Sequence, residues 1–283
     1  MCATRQKKAT DAGTTAAHSA AGTANAAAVA AVQPGIGQDS PKSEEGRLPV
    51  VLPGTRSPLD PSRSLKVGGH GQPREHVRQV QRDRLIDGFV QVVAEDGYDG
   101  AGIKSICRRA GVAFNTFYEY FDTKEELFLV AYDAGVKILF ERVSQAYLSG
   151  DIPWSERVEA GIGEFLQILV DNPHFARFFA IEAVKVGPKA MKRVDEDFER
   201  SFTMFSEATP AAGLAIPVSD LVPLVIGGIY ARVYTFIRSN QFDRLPGLRP
   251  ILVEFALASF SGSGSPVGDA GRRPGQLGRG HVR

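Results

Sequence analysis

The stretch that most constrains the fold is residues 103–127, which reads IKSICRRAGVAFNTFYEYFDTKEEL. Its first part repeats apolar residues at the spacing of one helix face, namely Ile103, Ile106 and Ala110. Gly111 follows, at a place where a helix end favours a residue that tolerates positive φ. The buried side of a second short helix is marked by Val112, Phe117 and Phe121. Two short helices joined by a turn with Gly predict a helix-turn-helix, whose second helix enters the major groove of DNA.

A helix start follows this motif immediately. Thr123 and Glu126 are spaced as a capping box, in which the Thr side chain accepts from the N3 amide and the Glu side chain reaches back. The apolar residues beyond it keep a helical spacing as far as residue 148. We therefore expect a long helix to leave the motif and connect it with the rest of the chain.

The run AGVAFNTFYEYFDTKEEL at residues 110–127 resembles the DNA-binding signature of the tetracycline-repressor (TetR) family of bacterial transcriptional regulators. The similar region extends over about residues 82–127, and more loosely to residues 227–238 and the closing helix. The resemblance implies an all-α fold with two parts. An N-terminal three-helix helix-turn-helix domain would bind DNA, and a C-terminal helical bundle would bind a ligand and dimerise.

The resemblance and the side-chain chemistry together give the expected DNA contacts. Hydroxyls, ammonium groups and a helix N-terminus are the groups that hold a DNA backbone. The expected backbone contacts are Lys104, Thr116, Tyr118, Tyr120, Thr123 and Lys124. Phe114 and Asn115 match family positions that face base edges, where Asn pairs with adenine and Phe meets a thymine methyl. The alternative is that these are ordinary polar residues on the surface of a helical hairpin.

Two departures from the family pattern bear on these contacts. Ala101-Gly102 stands where the family usually has Thr at the start of the first motif helix. Ala113 replaces the usual capping Ser of the second, which costs about 1 kcal/mol of capping. Because both usual residues often touch phosphates, we expect fewer such contacts here or a contribution from the basic tail.

Charge is distributed unevenly although the net charge of the 283-residue chain is only +1. Residues 1–72 hold eight Lys/Arg and five acidic residues, and residues 262–283 hold four Arg and one Asp, so each tail carries +3. That leaves −5 for residues 73–261. An acidic body is compatible with DNA binding, because only the contacted face must neutralise phosphates.

Composition also excludes several classes. Cys2 and Cys107 do not form a disulfide framework, and five scattered His without a Cys-x-x-Cys indicate no metal site and no cofactor. No nucleophile and base have usable spacing, so an enzyme is not expected. No apolar run approaches a membrane span and the N-terminus does not resemble a signal peptide. We therefore expect a cytoplasmic, nucleoid-associated protein that does not contact a membrane.

Four parts are expected along the chain. Residues 1–72 lack aromatic residues and are rich in Ala, Pro and Gly, and residues 262–283 are rich in Gly, Pro and Arg; such tails are typical of disorder. Residues 73–125 form the helix-turn-helix domain. Residues 126–261 form the effector-binding and dimerisation domain, with helices at about 154–169, 173–187, 189–208, 219–240 and 246–260.

Within this body, aromatic residues could line a cavity for an unknown small-molecule effector, as the family resemblance implies, or could simply form a packed core. The candidates are Phe165, Leu169, Phe175, Phe178, Phe179, Phe202, Phe205 and Tyr230. Helix 219–240 is almost wholly apolar, and such a surface must be covered. The family's dimer interface would place Gly227, Gly228, Ala231, Tyr234 and Phe255 between two copies. Burial inside one chain is the alternative.

The main reading is therefore a homodimeric regulator of the TetR type, most often a repressor in this family, that binds double-stranded DNA at a near-palindromic operator. A small apolar or amphipathic ligand would release it from DNA. Thermodynamic linkage then requires the ligand to weaken DNA binding by the same factor by which DNA weakens ligand binding. The alternative is a helical ligand carrier whose DNA-binding head does not function. A carrier would bind its ligand regardless of DNA.

Overall fold

A computed structural model describes residues 51–57, 60–63, 73–205 and 216–261. In this described part of the chain every regular element is helical. The fold is all-α, with an N-terminal helix-turn-helix domain, here called the head, and a C-terminal helical domain, here called the body. The predicted residue limits of the two domains remain predictions.

The head begins with α1 (Arg74–Gly100), α2 (Ile103–Ala110) and α3 (Phe114–Phe117). The predicted motif is present, and Gly111 ends α2 with a φ of 64°, the left-handed conformation that its position required. The second motif helix is shorter than its apolar spacing suggested. α4 (Lys124–Leu148) then connects the head with the body.

The body contains α5 (Trp154–Asp171), α6, α7 (Pro188–Ser201), α8 (Val218–Arg238) and α9 (Arg249–Phe260). Helix α6 consists of Pro173–Arg177, a π-helical turn at Phe178–Glu182, and Ala183–Val186. Two 3₁₀ helices, Phe202–Phe205 and Phe242–Leu248, follow α7 and precede α9. The predicted helix at 246–260 is therefore partly 3₁₀, and residues 206–208 of the predicted helix 189–208 lie outside the described residues.

Two hydrophobic clusters form the interior. The head cluster combines α1 to α4 with residues of α6. Phe178 joins it by packing edge-on against Phe89, at 5.8 Å between ring centroids, and at a tilt against Phe128, at 4.7 Å. The body cluster combines α5, α6, α8 and α9 with Tyr147 of α4 and Phe205. Because α4 and α6 contribute to both regions, the head is continuous with the body through these two helices.

A short N-terminal segment packs against α1, which corrects part of the expected tail. We call residues 51–57 and 60–63 the strap. Leu52 is 3 % exposed, and Arg63 is almost fully buried with its Nη1 2.7 Å from an Asp87 carboxylate oxygen. The Asp87 carboxylate also accepts the Gly54 amide at 2.7 Å. The prediction of disorder for residues 1–72 is wrong for the strap, because buried charge pairs hold the strap on α1 and composition does not reveal them. The remaining residues of this tail lie outside the described part of the chain.

Within the described residues, one helix has the length and composition of a membrane span. It is α8, Val218–Arg238, in which an 18-residue stretch has a mean hydropathy of 1.4, and 39 % of that stretch is buried. The core helix of a soluble protein passes the same test, so the finding is weak evidence for a membrane. What it establishes is an apolar helix with a large uncovered face.

Candidate DNA-binding surface and effector cavity

The second motif helix divides its aromatic residues between core and surface. Phe117 and Phe121 are buried at 0 % and 2 % exposure. Phe114 and Tyr118 are 42 % and 51 % exposed, with their rings edge-to-face at 5.5 Å. Large exposed aromatic residues beside the exposed Asn115 form a surface suited to a partner with flat or methylated edges, such as DNA bases.

The caps of the two helices at this surface agree with the sequence except for one hydrogen bond. Ala113 provides no side-chain cap for α3. The Thr123 hydroxyl accepts the Glu126 amide at 3.0 Å, as the capping box requires. The Glu126 carboxylate instead accepts the amide of Asp122 at 2.7 Å, one residue before the expected partner. The N-terminus of α4 is therefore firmly capped beside the motif.

Tyr120 lies next to a row of arginines that the sequence analysis did not name. Its hydroxyl donates to Gln81 at 2.8 Å, and the Arg78 guanidinium lies 5.8 Å from its ring centroid. Arg82 similarly lies 5.9 Å from the Phe121 ring centroid. The spacing of Arg78 and Arg82 at i, i+4, which places both on one face of a helix, was the signal that could have identified this row.

Lys124 is held by the head itself, which changes its expected role. Its ammonium donates to the Tyr98 carbonyl at 2.7 Å and lies 4.1 Å from the Tyr98 ring centroid. Burial lowers the pKa of Lys124. The Tyr98 amide in turn donates to a carboxylate oxygen of Glu182, at 2.9 Å, in the π-helical turn. A contact between Lys124 and a DNA phosphate would therefore compete with its hydrogen bond to the Tyr98 carbonyl. Lys104, which is also expected to contact the DNA backbone, is exposed.

Thr116 is half-buried on the same short helix, so only part of its surface is open to a backbone contact. Arg109, a further basic residue of the motif, pairs with Glu95 across the α1–α2 interface. That hydrogen bond lowers the pKa of Glu95. Arg109 therefore supports the packing of the head.

A cavity of about 150 Å³ lies in the body between α4, α5, α6, α7 and α8. Its wall is almost entirely apolar, and α4 contributes Tyr132, Leu139, Phe140, Val143 and Tyr147. An apolar space of this size is comparable to cavities that bind small hydrocarbons. It makes this part of the body a candidate ligand site.

Half of the residues predicted for the ligand site lie on this wall. Those on the wall are Phe165, Phe179, Phe205 and Tyr230. Those away from it are Leu169, Phe175, Phe178 and Phe202. Leu169 is in the body cluster, and Phe175 and Phe178 are in the head cluster.

The packing of α6 explains the misplaced phenylalanines. Gly135 on α4 makes room for the Phe175 ring, because a Cβ there would lie 2.1 Å from a ring carbon. Phe178, in the π-helical turn, is buried in the head cluster, whereas its neighbour Phe179 packs against both clusters and reaches the cavity wall. Sequence periodicity assumes a regular 3.6-residue turn and cannot anticipate a π-helical turn.

Helix α7 supplies wall residues that the sequence analysis missed. They are Val194, Asp197, Phe198 and Ser201, which continue the stripe to Phe205 at helical spacing. That i, i+4, i+7, i+11 pattern was visible in the sequence. Burial raises the pKa of the Asp197 carboxyl, an effect that Arg200 partly offsets. Burial also raises the pKa of Tyr230 to about 12, and its hydroxyl donates to the Ala180 carbonyl at 2.9 Å.

The predicted dimer residues lie on an uncovered face of α8 and α9. Ala231 and Phe255 are exposed, Tyr234 is half-buried, and Leu224 and Ile251 expose more than three fifths of their surfaces beside them. The two glycines differ. Gly227 has open space around it, whereas a Cβ on Gly228 would lie 3.0 Å from the Phe255 ring. Gly228 therefore serves a contact within the chain, and Gly227 is available to a second copy.

The described residues contain no group of three His, Cys, Asp or Glu side chains that could hold a metal ion. The buried Cys107 thiol belongs to the head cluster, and burial raises its pKa. Its position is that of a core residue.

Comparison with known proteins agrees with the motif. The model of bacterial regulatory proteins of the tetR family matches residues 85–131. The matched region contains the exposed surface of α3, the capped start of α4 and most of α1, and lies close to the limits expected from the sequence.

Two curated relatives are similar over parts of the chain. The transcriptional repressor KstR of Mycolicibacterium smegmatis is 24 % identical over 131 residues, which cover 46 % of this chain and 64 % of KstR. The fatty acid metabolism regulator protein of Bacillus subtilis is 34 % identical over 62 residues, which cover 22 % of this chain and 32 % of the regulator. The chain thus spans less than two thirds of the length of these relatives.

Solved structures extend the likeness to the body. The regulator FadR from Bacillus subtilis, in complex with stearoyl-CoA, aligns with a TM-score of 0.55 at 20 % identity and covers 62 % of this chain and 97 % of FadR. A tetR-family regulatory protein from Rhodococcus RHA1 aligns with a TM-score of 0.52 at 16 % identity, covering 64 % of this chain and 97 % of that one. These likenesses establish the shared fold.

Proposed function

Because this chain belongs to the TetR family of bacterial regulatory proteins, we propose that it is a homodimeric DNA-binding transcriptional regulator and not an enzyme. Its affinity for DNA depends on a small ligand bound in the body. The observation that carries the proposal is the occurrence, in one chain, of an exposed recognition surface on α3 and an apolar cavity bordered by α4, the helix that starts beside that surface.

On double-stranded DNA, Asn115 and Phe114 read base edges in the major groove. Tyr118, Thr116, Tyr120 and Thr123 contact the backbone, together with the exposed Lys104 and Arg78. Lys124 contributes less to DNA than the sequence suggested, because Tyr98 holds its ammonium. Two heads related by two-fold symmetry bind successive major grooves of a near-palindromic operator.

The effector is a small molecule with a mainly hydrocarbon body, in keeping with the apolar wall. The complex of FadR with stearoyl-CoA supports a lipid-like ligand, since that protein shares the fold. Ligand binding weakens DNA binding, and the protein is a repressor in the manner of KstR.

The route from cavity to head passes through α4 and the π-helical turn. Phe179 lies on the cavity wall, and its neighbour Phe178 packs against the head at Phe89. In the same turn, buried Glu182 accepts the Tyr98 amide. A ligand that moves this turn therefore shifts the α1–α2 corner and, through the Tyr98 carbonyl, the start of α4.

Dimerisation uses the uncovered face of α8 and α9. Leu224, Gly227 and Ala231 share one face of α8, and Phe255 lies beside them on α9. An apolar face of this kind is stable in water only when covered. Pairing with a second copy covers it and accounts for the hydropathy of α8 without a membrane, in a cytoplasmic protein that acts on the nucleoid.

The competing reading is a ligand carrier with an inactive head. The cavity favours it as much as it favours the regulator, but the exposed aromatic pair on α3 has no purpose in a carrier. A salt-titrated mobility-shift assay with the DNA flanking its own gene distinguishes them. Sequence-selective binding by the full chain supports the regulator, and binding without sequence preference, carried by the basic tails, contradicts it.

A further inference from the structure

The polar groups on the cavity wall limit which polar groups a bound ligand can have. Among the wall residues that the structure describes, Asp197 is the only one with a charged side chain, which is 14 % exposed. The other polar wall groups are hydroxyls. An apolar cavity with a few fixed polar groups selects its ligand through the pairing that those groups require.

Two of the wall hydroxyls already donate to backbone carbonyls. Tyr230 donates to the Ala180 carbonyl at 2.9 Å, and Ser201 donates to the Phe198 carbonyl at 2.6 Å. The Tyr132 hydroxyl acts on the Asp197 carboxyl, whose pKa it lowers against the opposite effect of burial. A ligand carboxylate or phosphate would need donors, and the Tyr230 and Ser201 hydroxyls could supply them only by leaving those carbonyls unpaired.

Asp197 has the opposite character, because a carboxylate is purely an acceptor. Its partners are the Tyr132 hydroxyl and Arg200, whose Nη1 lies 3.3 Å from Oδ1. A carboxylate offers about four acceptor positions, so capacity remains for a further donor. Burial raises the pKa of this carboxyl, which is the sign of a charged group short of solvation.

We propose that the cavity selects a ligand whose buried hydrocarbon carries a hydroxyl that donates to Asp197, and that it rejects the same hydrocarbon ending there in a carboxylate. The inference rests on the cavity being the effector site of the proposed function. A ligand hydroxyl donates a hydrogen bond to the Asp197 carboxylate without bringing a second charge into the cavity. A second carboxylate would place two like charges together in a region of low dielectric.

The test uses three ligands of one chain length: 1-decanol, its methyl ether 1-methoxydecane, and decanoate. Isothermal titration calorimetry on the full chain, below the aggregation limits of the ligands, gives the three affinities. We expect 1-decanol to bind about tenfold or more tighter than the ether, the factor for losing a hydrogen bond to a charged group, and decanoate to bind weakest.

Asp197→Leu removes the acceptor and should reduce the preference for 1-decanol over the ether to less than about twofold, consistent with loss of that hydrogen bond. Asp195→Leu is the matched control, because Asp195 is exposed on the same helix and absent from the wall; it should keep the full preference. Asp197→Asn keeps an acceptor oxygen without the charge and should recover binding of decanoate.

The outcomes separate the two proposals. Equal affinity of the wild-type chain for all three ligands overturns the role of Asp197 and leaves the cavity as the effector site. Tighter binding of decanoate than of 1-decanol also overturns it. Binding of none of the three overturns both the role of Asp197 and the effector site.

Discussion

The interiors of the head and the body are packed in opposite ways. The head cluster brings aromatic rings such as Phe89, Phe128 and Phe178 into mutual contact, and the deeply buried carboxylate of Asp87 is paired with strap arginines. The body leaves an apolar cavity and places Asp197 on its wall. The difference indicates that the head must keep one shape to present α3, whereas the body must have room for a ligand.

The largest expected effect lies at Asp87. Burial raises the pKa of Asp87, and Arg56 and Arg63 offset this. Asp87→Ala leaves the buried Arg63 unpaired and should lower the free energy of unfolding by about 3–5 kcal/mol. Urea unfolding followed by circular dichroism at fixed protein concentration measures it.

The control for that experiment is Lys137→Ala, which breaks an exposed pair with Glu141 and should cost less than about 1 kcal/mol. Similar losses in the two variants would mean that the strap is not held by its charges. The comparison between a firmly tied head and a looser body would then lose its main support.

On the outer surface of the head, Asn115→Ala should weaken operator binding by about 1–3 kcal/mol and relax the preference at one base pair. Lys104→Ala should weaken binding to all sequences alike and lower the salt slope by about one unit. Fluorescence anisotropy with operator and scrambled DNA over a salt series measures both. Identical behaviour of the two variants would contradict the division between base and backbone contacts.

The same substitution, Val to Phe, made once in the head and once in the body tests whether the head is filled and the body contains a cavity. Val92→Phe adds volume to the head cluster and should lower the free energy of unfolding by about 1–3 kcal/mol. Val194→Phe projects into the cavity and should cost less than about 1 kcal/mol while weakening ligand binding. If Val194→Phe destabilised the chain as much as Val92→Phe, the cavity would not be open space.

The smallest effect is expected at the joint between the two regions. Glu182→Gln keeps the shape and one acceptor oxygen but weakens the hold on the Tyr98 amide. It should leave DNA affinity nearly unchanged and reduce the ligand-induced loss of that affinity by about 0.5–2 kcal/mol. Glu164→Gln, which disturbs a partly exposed pair with Arg142, is the control. An unchanged ligand response in Glu182→Gln would remove the π-helical turn from the coupling route.

What the sequence predicted well depends on local chemistry. The end of α2 at Gly111 and the cap of α4 at Thr123 follow from backbone preferences of single residues. The start of α6 at Pro173 follows from the same kind of preference, although the Asn172 side chain bonds back to Ile168 rather than capping it. The head was predictable because its features lie within a few residues of one another.

What the sequence missed depends on pairing between distant residues. The strap looked disordered because its two arginines find their carboxylate more than twenty residues away on α1. Lys124 looked free because its acceptor is a backbone carbonyl, which no side-chain pattern reveals. Half of the residues predicted for the cavity lie on its wall, whereas Phe175 and Phe178 fill the head cluster, where Gly135 makes room for the Phe175 ring.

The most direct test of the account is the thermodynamic linkage between the two regions. The affinity of the full chain for the DNA flanking its own gene would be measured by anisotropy with and without saturating 1-decanol. The affinity for 1-decanol would be measured with and without that DNA. The account predicts that both affinities fall by the same factor, about 5- to 150-fold. Ligand binding that is indifferent to bound DNA would contradict it and identify the body as a carrier.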